Sequence, residues 1–99
     1  MGAFCCGSRD GPDLDHWRLR IDEASTRLAP YIKETRVLEH PGRPNVYLKL
    51  ESEQVTGSFK ARGGGNKLLK VSQATRANGI VAASTGNHGC GVANMAQQL

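Results

Sequence analysis

The chain has 99 residues, 12 of them glycine, and a net charge of +4 from 13 basic and 9 acidic side chains. Its length suffices for one small domain, while its dispersed charges and single tryptophan argue against nucleic-acid binding and are compatible with a small anionic ligand. Three cysteines without a disulfide framework favour a reducing, cytoplasmic location, and no apolar run approaches the ~20 residues that span a bilayer.

Residues 1–12 are expected to form a flexible leader. The first six residues resemble a relaxed N-myristoylation signal, in which Gly2 would carry a myristoyl chain and Cys5 or Cys6 a palmitoyl chain. One myristoyl chain binds membranes only marginally, so stable anchoring would need the second chain. The alternative is an unmodified terminus, and an unmodified N-terminal mass from the native cell would exclude acylation.

A helix is predicted directly after the leader. Asp13 can cap it, its apolar residues recur at spacings of three and four, and Pro30 ends it because the residue before a proline avoids helical geometry. The members of this apolar stripe are Leu14, Trp17, Ile21, Ala24 and Leu28. We interpret the segment as an amphipathic packing helix.

The middle of the chain is predicted to contain a connector, a strand and a second helix. Residues 31–45 are the connector, with a turn at residues 40–44, and residues 46–50 form a short, mostly apolar strand. Ser58 is predicted to cap a helix that runs from Phe59 through Leu69.

The last third repeats this order of elements. Residues 79–83 are predicted to be a buried strand, residues 84–89 a loop, and Gly91 to Leu99 a helix. Alternating strands and helices predict an α/β fold with a parallel sheet, which binds ligands beyond the carboxyl ends of its strands. Because the chain stops inside this helix, we interpret residues 13–99 as a domain truncated at its C-terminus.

Lys60 is the first candidate for chemistry. It stands between Phe59 and Ala61 at a predicted helix start, where partial desolvation and the positive end of the helix dipole both favour a neutral amine. A neutral lysine can form a Schiff base. This pattern alone is a weak signal, because most lysines near a helix start are solvated.

A second loop offers groups that suit an anion. Ser84, Thr85 and Asn87 supply two hydroxyls and an amide beside the backbone N–H groups of a helix N-terminus, which suits a carboxylate or phosphate. The alternative is an ordinary N-cap turn, which needs only one hydroxyl. Residues 63–65 are glycines without the lysine of a phosphate loop, so we expect them to allow close helix packing. His88 has no second ligand at metal spacing, and no metal site is expected.

These stretches together resemble a known family. Residues 49–51, 56–63 and 83–89 are similar to the serine/threonine dehydratase and serine racemase family of pyridoxal-phosphate enzymes, which have a tryptophan-synthase-β-like fold. The blocks match the start of the family's chains in order and separation, over roughly residues 20–99. The resemblance implies that residues 13–99 are the N-terminal portion of the catalytic domain, with its parallel sheet incomplete.

The resemblance also implies roles for individual residues. Lys60 would bind pyridoxal 5'-phosphate through an imine and later take the substrate's α-proton. Phe59 would pack near the pyridine ring, and Asn87 would hydrogen-bond the ring's phenolic oxygen. The residues lining the substrate-carboxylate pocket would be Ser84, Thr85, Asn87 and His88. The complete enzyme would be a homodimer.

The implied activity is that of an ammonia-lyase, or dehydratase, acting on a small β-hydroxy amino acid such as L-threonine or L-serine. Thr85 stands where dehydratases often have alanine and where racemases have a serine that acts as an acid/base, so a serine or aspartate racemase is an alternative. The family's glycine-rich phosphate loop lies further downstream and is absent here. The 99 residues alone are therefore expected to be inactive, and a non-catalytic truncated isoform or incomplete gene product is a further alternative.

Overall fold

The computed structural model describes residues 13–99. Its helices are α1 (Leu14–Leu28), α2 (Lys60–Leu69), α3 (Gln73–Arg76) and α4 (Asn87–Ala96). Its strands are β1 (Val37–Glu39) and β2 (Tyr47–Lys49), and a 3-10 turn occupies Glu51–Glu53. The leader expected at residues 1–12, with the candidate lipidation sites Gly2, Cys5 and Cys6, lies outside the described residues.

Helix α1 confirms the predicted bounds but packs along only part of its length. The Asp13 carboxylate accepts a hydrogen bond from the Asp15 N–H at 3.4 Å, which caps the first turn. At the other end Leu28 is buried, at 5% exposure, against α2. Leu14 and Ile21 remain exposed at 84% and 62%. The apolar stripe therefore contributes to the core through its C-terminal end.

Strands β1 and β2 form an antiparallel hairpin, in which Leu38 pairs with Leu48. The predicted strand is confirmed at Tyr47–Lys49, and the turn predicted at residues 40–44 connects the two strands. The turn is closed by the His40 N–H, which donates to the Val46 carbonyl at 2.7 Å. Strand β1 was not predicted, because three residues are too few to show a strand's alternation.

The predicted parallel sheet is not present in the described part of the chain, where the sheet is the antiparallel pair β1–β2. Residues 79–83, predicted as a buried strand, have no regular secondary structure, and Val81 is 99% exposed. An extended segment becomes a strand only when a neighbouring segment completes its ladder of hydrogen bonds. Residues 80–83 make no backbone hydrogen bond to other described residues. The mixed helix and strand content is confirmed.

The core lies where α2 and α4 pack against each other. Leu28, Leu68, Val92 and Met95 form its buried cluster, with Met95 only 2% exposed. Gly64 and Gly65 are buried on the α2 side of this contact. A Cβ added at Gly64 would lie 3.3 Å from the carbonyl carbon of Gly91. The expectation that the glycine run allows close helix packing is confirmed.

Candidate functional site

The start of α2 is shaped by Ser58 and Gly57. Ser58 is 7% exposed, and its Oγ accepts a hydrogen bond from the Lys60 N–H at 3.2 Å. Gly57 has a φ of +70°, in the left-handed region that side chains with a Cβ rarely adopt. The chain thus turns sharply before α2, and Lys60 becomes the first residue of the helix, as the sequence predicted to within one residue.

The Lys60 side chain is exposed and lies beside an exposed aromatic ring. Its Nζ is 5.0 Å from the centroid of the Phe59 ring, and Phe59 is 58% exposed. A cation above an aromatic face is weakly stabilised. The partial desolvation predicted for Lys60 is not provided by the described residues, because Phe59 covers only one side of the amine. The predicted placement at a helix start is confirmed.

A partly buried polar network holds the segment that leads to α2. The Arg62 guanidinium donates two hydrogen bonds to the Glu51 carboxylate, at 2.8 and 2.7 Å, and the Thr35 hydroxyl donates a third at 2.6 Å. The bond from Arg62 is the main cause that lowers the pKa of the Glu51 carboxyl from 4.5 to about 2. The same contact raises the pKa of Arg62. This network ties the 3-10 turn to the first turn of α2.

Gln54 fixes the same segment from its other side. It is 4% exposed, its Oε1 accepts from the Lys33 N–H at 2.8 Å, and its Nε2 donates to the Lys33 carbonyl at 2.9 Å. Sequence reasoning assigned no role to Gln54, Thr35 or Glu51. Glu51 and Arg62 belong to the blocks on which the family resemblance rests, and this was the signal in the sequence that could have singled them out. The resemblance did not indicate that the two residues pair.

Ser84 shapes the second loop. Its Oγ accepts hydrogen bonds from the Gly89 N–H at 2.9 Å and the Gly86 N–H at 3.2 Å. The same hydroxyl lies 3.3 Å from the Gly86 carbonyl, to which it can donate. Ser84 therefore performs the ordinary capping function of one loop hydroxyl. This cap lets α4 begin at Asn87, four residues before the predicted Gly91.

Three other loop side chains keep their polar groups available. Thr85, Asn87 and His88 are exposed and make no side-chain hydrogen bond to the described residues. The backbone N–H groups of Asn87 and His88 stand at the N-terminus of α4, where helix N–H groups have no partner within the helix. A hydroxyl, an amide and two N–H groups at the positive end of a helix form a suitable environment for a carboxylate.

The two helix starts are brought together by Gly91. A Cβ added at Gly91 would lie 2.8 Å from the carbonyl oxygen of Lys60 and 3.2 Å from the N atom of Ala61. The backbone of α4 therefore rests directly on the backbone of Lys60. Because α4 begins at Asn87, the lysine and the Ser84 loop belong to adjacent ends of one packed helix pair.

His88 also faces an apolar cavity. The cavity has a volume of about 400 Å³ and lies between residues 80–83 and the paired helices, with Gly64, Leu68 and Val92 among its lining residues. Cys90 in the next turn is exposed. Within residues 13–99, no group of three histidine, cysteine or acidic side chains is placed to hold a metal ion. No helix among the described residues is long and apolar enough to cross a bilayer.

Comparisons with known proteins give a consistent answer. A family described as pyridoxal-phosphate dependent enzyme matches residues 24–99. The chain is similar to "L-threonine dehydratase catabolic TdcB" of Staphylococcus aureus strain N315, at 44% identity over 85 residues that cover 80% of this chain and 25% of that relative. The protein of the same name from strain USA300 is 41% identical over 85 residues, with the same coverage.

The chain spans 25% of the length of these curated relatives. No solved structure matches it.

Proposed function

The chain belongs to the pyridoxal-phosphate dependent enzyme family, and from this premise we propose that it supplies the cofactor lysine and the carboxylate-binding loop of an ammonia-lyase. The substrate is a small β-hydroxy amino acid such as L-threonine or L-serine. Support for this substrate class comes from relatives named L-threonine dehydratase. In this proposal, residues 13–99 form the N-terminal portion of the catalytic domain of a homodimeric enzyme.

The observation that carries the proposal is the contact between Gly91 and Lys60. A Cβ at Gly91 would approach the Lys60 carbonyl oxygen to 2.8 Å, so the α4 backbone can approach this closely only with glycine there. A lysine amine and an anion-binding loop are thereby held at neighbouring helix starts. A reaction at the α-carbon of an amino acid needs both groups. The lysine acts on the side of the substrate's amine, and the loop binds the substrate's carboxylate.

The available groups fit the cofactor. The Lys60 amine is accessible to an aldehyde, the exposed Phe59 ring offers a surface for a planar ring, and the Asn87 amide can donate to a ring oxygen. When bound, pyridoxal phosphate withdraws electrons from the substrate's α-carbon. Gly64 and Gly65 are enclosed between helices, so they are not available to bind its phosphate.

The residues of the chain then have distinct tasks. Lys60 Nζ, once its amine is free, accepts the α-proton. The Thr85 hydroxyl, the Asn87 amide and the first N–H groups of α4 bind the substrate carboxylate, with His88 lining the pocket. Ser84, predicted to line this pocket, keeps the loop in shape through its bonds to Gly86 and Gly89.

We also propose that residues 13–99 do not turn over substrate by themselves. Lys60, Thr85, Asn87 and His88 are all exposed among the described residues, whereas catalysis needs water excluded and its groups held by surrounding packing. A non-catalytic product that pairs with the complete enzyme is the corresponding alternative. Turnover by the 99-residue chain would contradict the proposal, and co-purification of this chain with a protein of the relatives' length would favour the alternative.

A racemase is the second candidate function, and Thr85 favours it. The neighbouring Ser84 hydroxyl is engaged in the loop, while the Thr85 hydroxyl makes no hydrogen bond to the described residues. A free hydroxyl can act as an acid/base on the face of the substrate opposite Lys60. Incubation with L-serine, L-threonine and 3-hydroxyaspartate separates the two functions: keto acid indicates elimination, and D-isomer without keto acid indicates racemisation.

The role of Lys60 is tested by absorbance. In a protein of the relatives' length, we expect the band of a protonated imine after addition of pyridoxal phosphate, and we expect Lys60→Ala to abolish it. Lys67→Ala is the matched control, because Lys67 is an exposed lysine of the same helix and should leave the band unchanged. Persistence of the band in Lys60→Ala would show that another amine binds the cofactor.

A further inference from the structure

The Lys60 amine is not held in place by contacts of its own. Its Nζ lies 5.0 Å from the centroid of the Phe59 ring and makes no hydrogen bond to the described residues. A lysine side chain is a flexible four-carbon stem, so the region that its amine can reach depends on where its backbone is held. The position of the first turn of α2 therefore limits how the amine meets the groups of the Ser84 loop.

The sequence of α2 gives this first turn little rigidity of its own. Arg62 is followed by Gly63, Gly64 and Gly65, and glycine is the residue least favourable to a helix interior apart from proline. The buried positions in the first half of α2 are Ala61, Gly64 and Gly65. Such a face has no large side chains that interlock with a neighbouring helix, so packing alone resists rotation of α2 weakly.

The Glu51–Arg62 pair supplies a restraint at this turn. Two N–H groups of the Arg62 guanidinium donate to the Glu51 carboxylate, at 2.8 and 2.7 Å, and the Thr35 hydroxyl donates to the same carboxylate at 2.6 Å. Thr35 is 5% exposed, and its carbonyl accepts from the Lys49 Nζ at 2.7 Å. A planar guanidinium that is bound at two points has a defined orientation, and the pair thus fixes the turn that carries Arg62.

Arg62 and Lys60 lie on opposite flanks of the buried face of α2. At about 100° per residue, positions two apart are separated by roughly 200° around the helix. Ala61 between them is 3% exposed, and its N atom would lie 3.2 Å from a Cβ at Gly91. A rotation of α2 about its axis that moves Lys60 therefore also displaces Arg62 from Glu51.

We propose that the Glu51–Arg62 pair positions Lys60 for reaction by fixing the first turn of α2 from the side opposite the lysine. This role rests on the proposed function of Lys60 and adds two positioning residues that act through it. The pKa of Glu51, lowered to about 2 mainly by its bond with Arg62, keeps the pair charged at neutral pH. The pair therefore changes how often the amine is in place and leaves carboxylate binding at the loop nearly unchanged.

The first test uses the cofactor-free protein of the relatives' length. It follows the absorbance band that appears when the Lys60 amine condenses with the aldehyde of pyridoxal phosphate and releases water. Arg62→Lys keeps the charge but loses the planar fork, and Glu51→Gln keeps the size but loses the charge. We expect each variant to slow the appearance of the band about tenfold, because the amine is less often in place. The double variant should be no slower than either single variant, since both changes remove the same contact.

The second test follows turnover of L-threonine by the cofactor-loaded protein. We expect kcat of both variants to fall about tenfold while KM changes less than about twofold, because the pair acts on Lys60 and not on the loop that binds the carboxylate. The kinetic isotope effect with L-threonine deuterated at the α-carbon should increase, because proton transfer to Lys60 becomes slower relative to the other steps.

Two control variants separate positioning from other effects. Glu53 belongs to the same 3-10 turn but pairs with Arg36, so Glu53→Gln should leave band formation and kcat unchanged. Leu28 packs in the core near Gly65, so Leu28→Ala lowers stability without touching the first turn of α2 and should also leave both rates unchanged.

The possible failures are distinguishable. Wild-type rates in both Arg62→Lys and Glu51→Gln overturn the positioning role, and so does equal slowing in Leu28→Ala, which would assign the effect to a general loss of stability. Additive effects in the double variant would show that the two residues do not act as one pair. Absence of the band from the wild-type protein, or its persistence in Lys60→Ala, would overturn the proposed function and the positioning role together.

Discussion

At the scale of single residues, neighbouring side chains of the same kind have different tasks. Ser84 uses its hydroxyl to cap α4, while the next hydroxyl, on Thr85, makes no bond to the described residues. The glycines differ in the same way. A Cβ added at Gly63 would meet no neighbouring atom within 4 Å, whereas a Cβ added at Gly91 would lie 2.8 Å from the Lys60 carbonyl oxygen. The structural role of each hydroxyl and each glycine therefore depends on the contacts that it makes, and not on its residue type.

The two glycines give a paired prediction. Gly91→Ala forces a methyl group against the Lys60 backbone, so we expect the free energy of unfolding to fall by about 2 kcal/mol. A methyl group at Gly63 would meet open space in the middle of α2. Gly63→Ala should therefore raise the free energy of unfolding by about 0.5–1 kcal/mol, because alanine favours helix over the unfolded state. Urea denaturation of both variants measures the difference, and a similar change in both would contradict the close backbone contact.

At the scale of the elements, a polar network holds α2 in place. The Glu51 carboxylate receives two hydrogen bonds from Arg62 and one from Thr35, and it thereby joins the 3-10 turn to α2. Glu53 forms an ion pair with Arg36, but both side chains are exposed, at 38% and 65%. Exposed ion pairs contribute little to stability, while the Glu51–Arg62 pair, whose side chains are 17% and 36% exposed and which the Thr35 hydroxyl also supports, contributes more.

The pH dependence of stability follows from the pKa of Glu51. Folding lowers this pKa from 4.5 to about 2, so its contribution is complete above the ordinary value and is lost as the pH falls toward 2. We expect Glu51→Gln to reduce the free energy of unfolding by about 1 kcal/mol at pH 7, less than the pKa shift alone implies because water reaches part of the pair. The variant should also lose stability less steeply between about pH 5 and pH 2.

Glu53→Gln is the matched control for this measurement, since it removes a carboxylate from the same 3-10 turn. Its effect should be smaller at every pH. Equal losses in the free energy of unfolding for the two variants, in urea titrations at pH 7 and pH 3, would show that the Glu51–Arg62 pair contributes no more to stability than the Glu53–Arg36 pair.

At the scale of the whole molecule, the described chain exposes a large apolar surface. Ile80 and Val81 are 39% and 99% exposed beside the cavity that Leu68 and Val92 line. The buried hydrophobic core is small and lies at the contact of α1, α2 and α4. We propose that residues 79–83 form the predicted parallel strand in a protein of the relatives' length, where additional segments can complete the ladder.

Val81→Asp tests this proposal. In the 99-residue chain we expect no change in the free energy of unfolding, because the side chain is fully exposed, and less self-association in analytical ultracentrifugation. In a protein of the relatives' length we expect a loss of at least about 3 kcal/mol, since a buried carboxylate has no partner in a sheet core. Val55→Asp, in an exposed turn, is the control in both proteins. Equal stability of Val81→Asp and wild type in the longer protein would refute the strand.

The sequence by itself determined the features that depend on neighbouring residues. Asp13 and Pro30 set the bounds of α1, residues 40–44 form the expected turn, and Ser58 precedes α2, because caps and turns act within a few residues. The family was also correctly identified from the order of the short blocks within residues 49–63 and 83–89.

Only the tertiary structure decided which distant segments meet. It paired the strand at residues 47–49 with β1 in antiparallel orientation, seated Gly91 on Lys60 and joined Glu51 to Arg62. It also left the N-terminal half of α1 exposed, with Leu14 at 84% and Ile21 at 62%. Such contacts join residues far apart in the chain, and their geometry depends on how the helices pack, which no local pattern specifies.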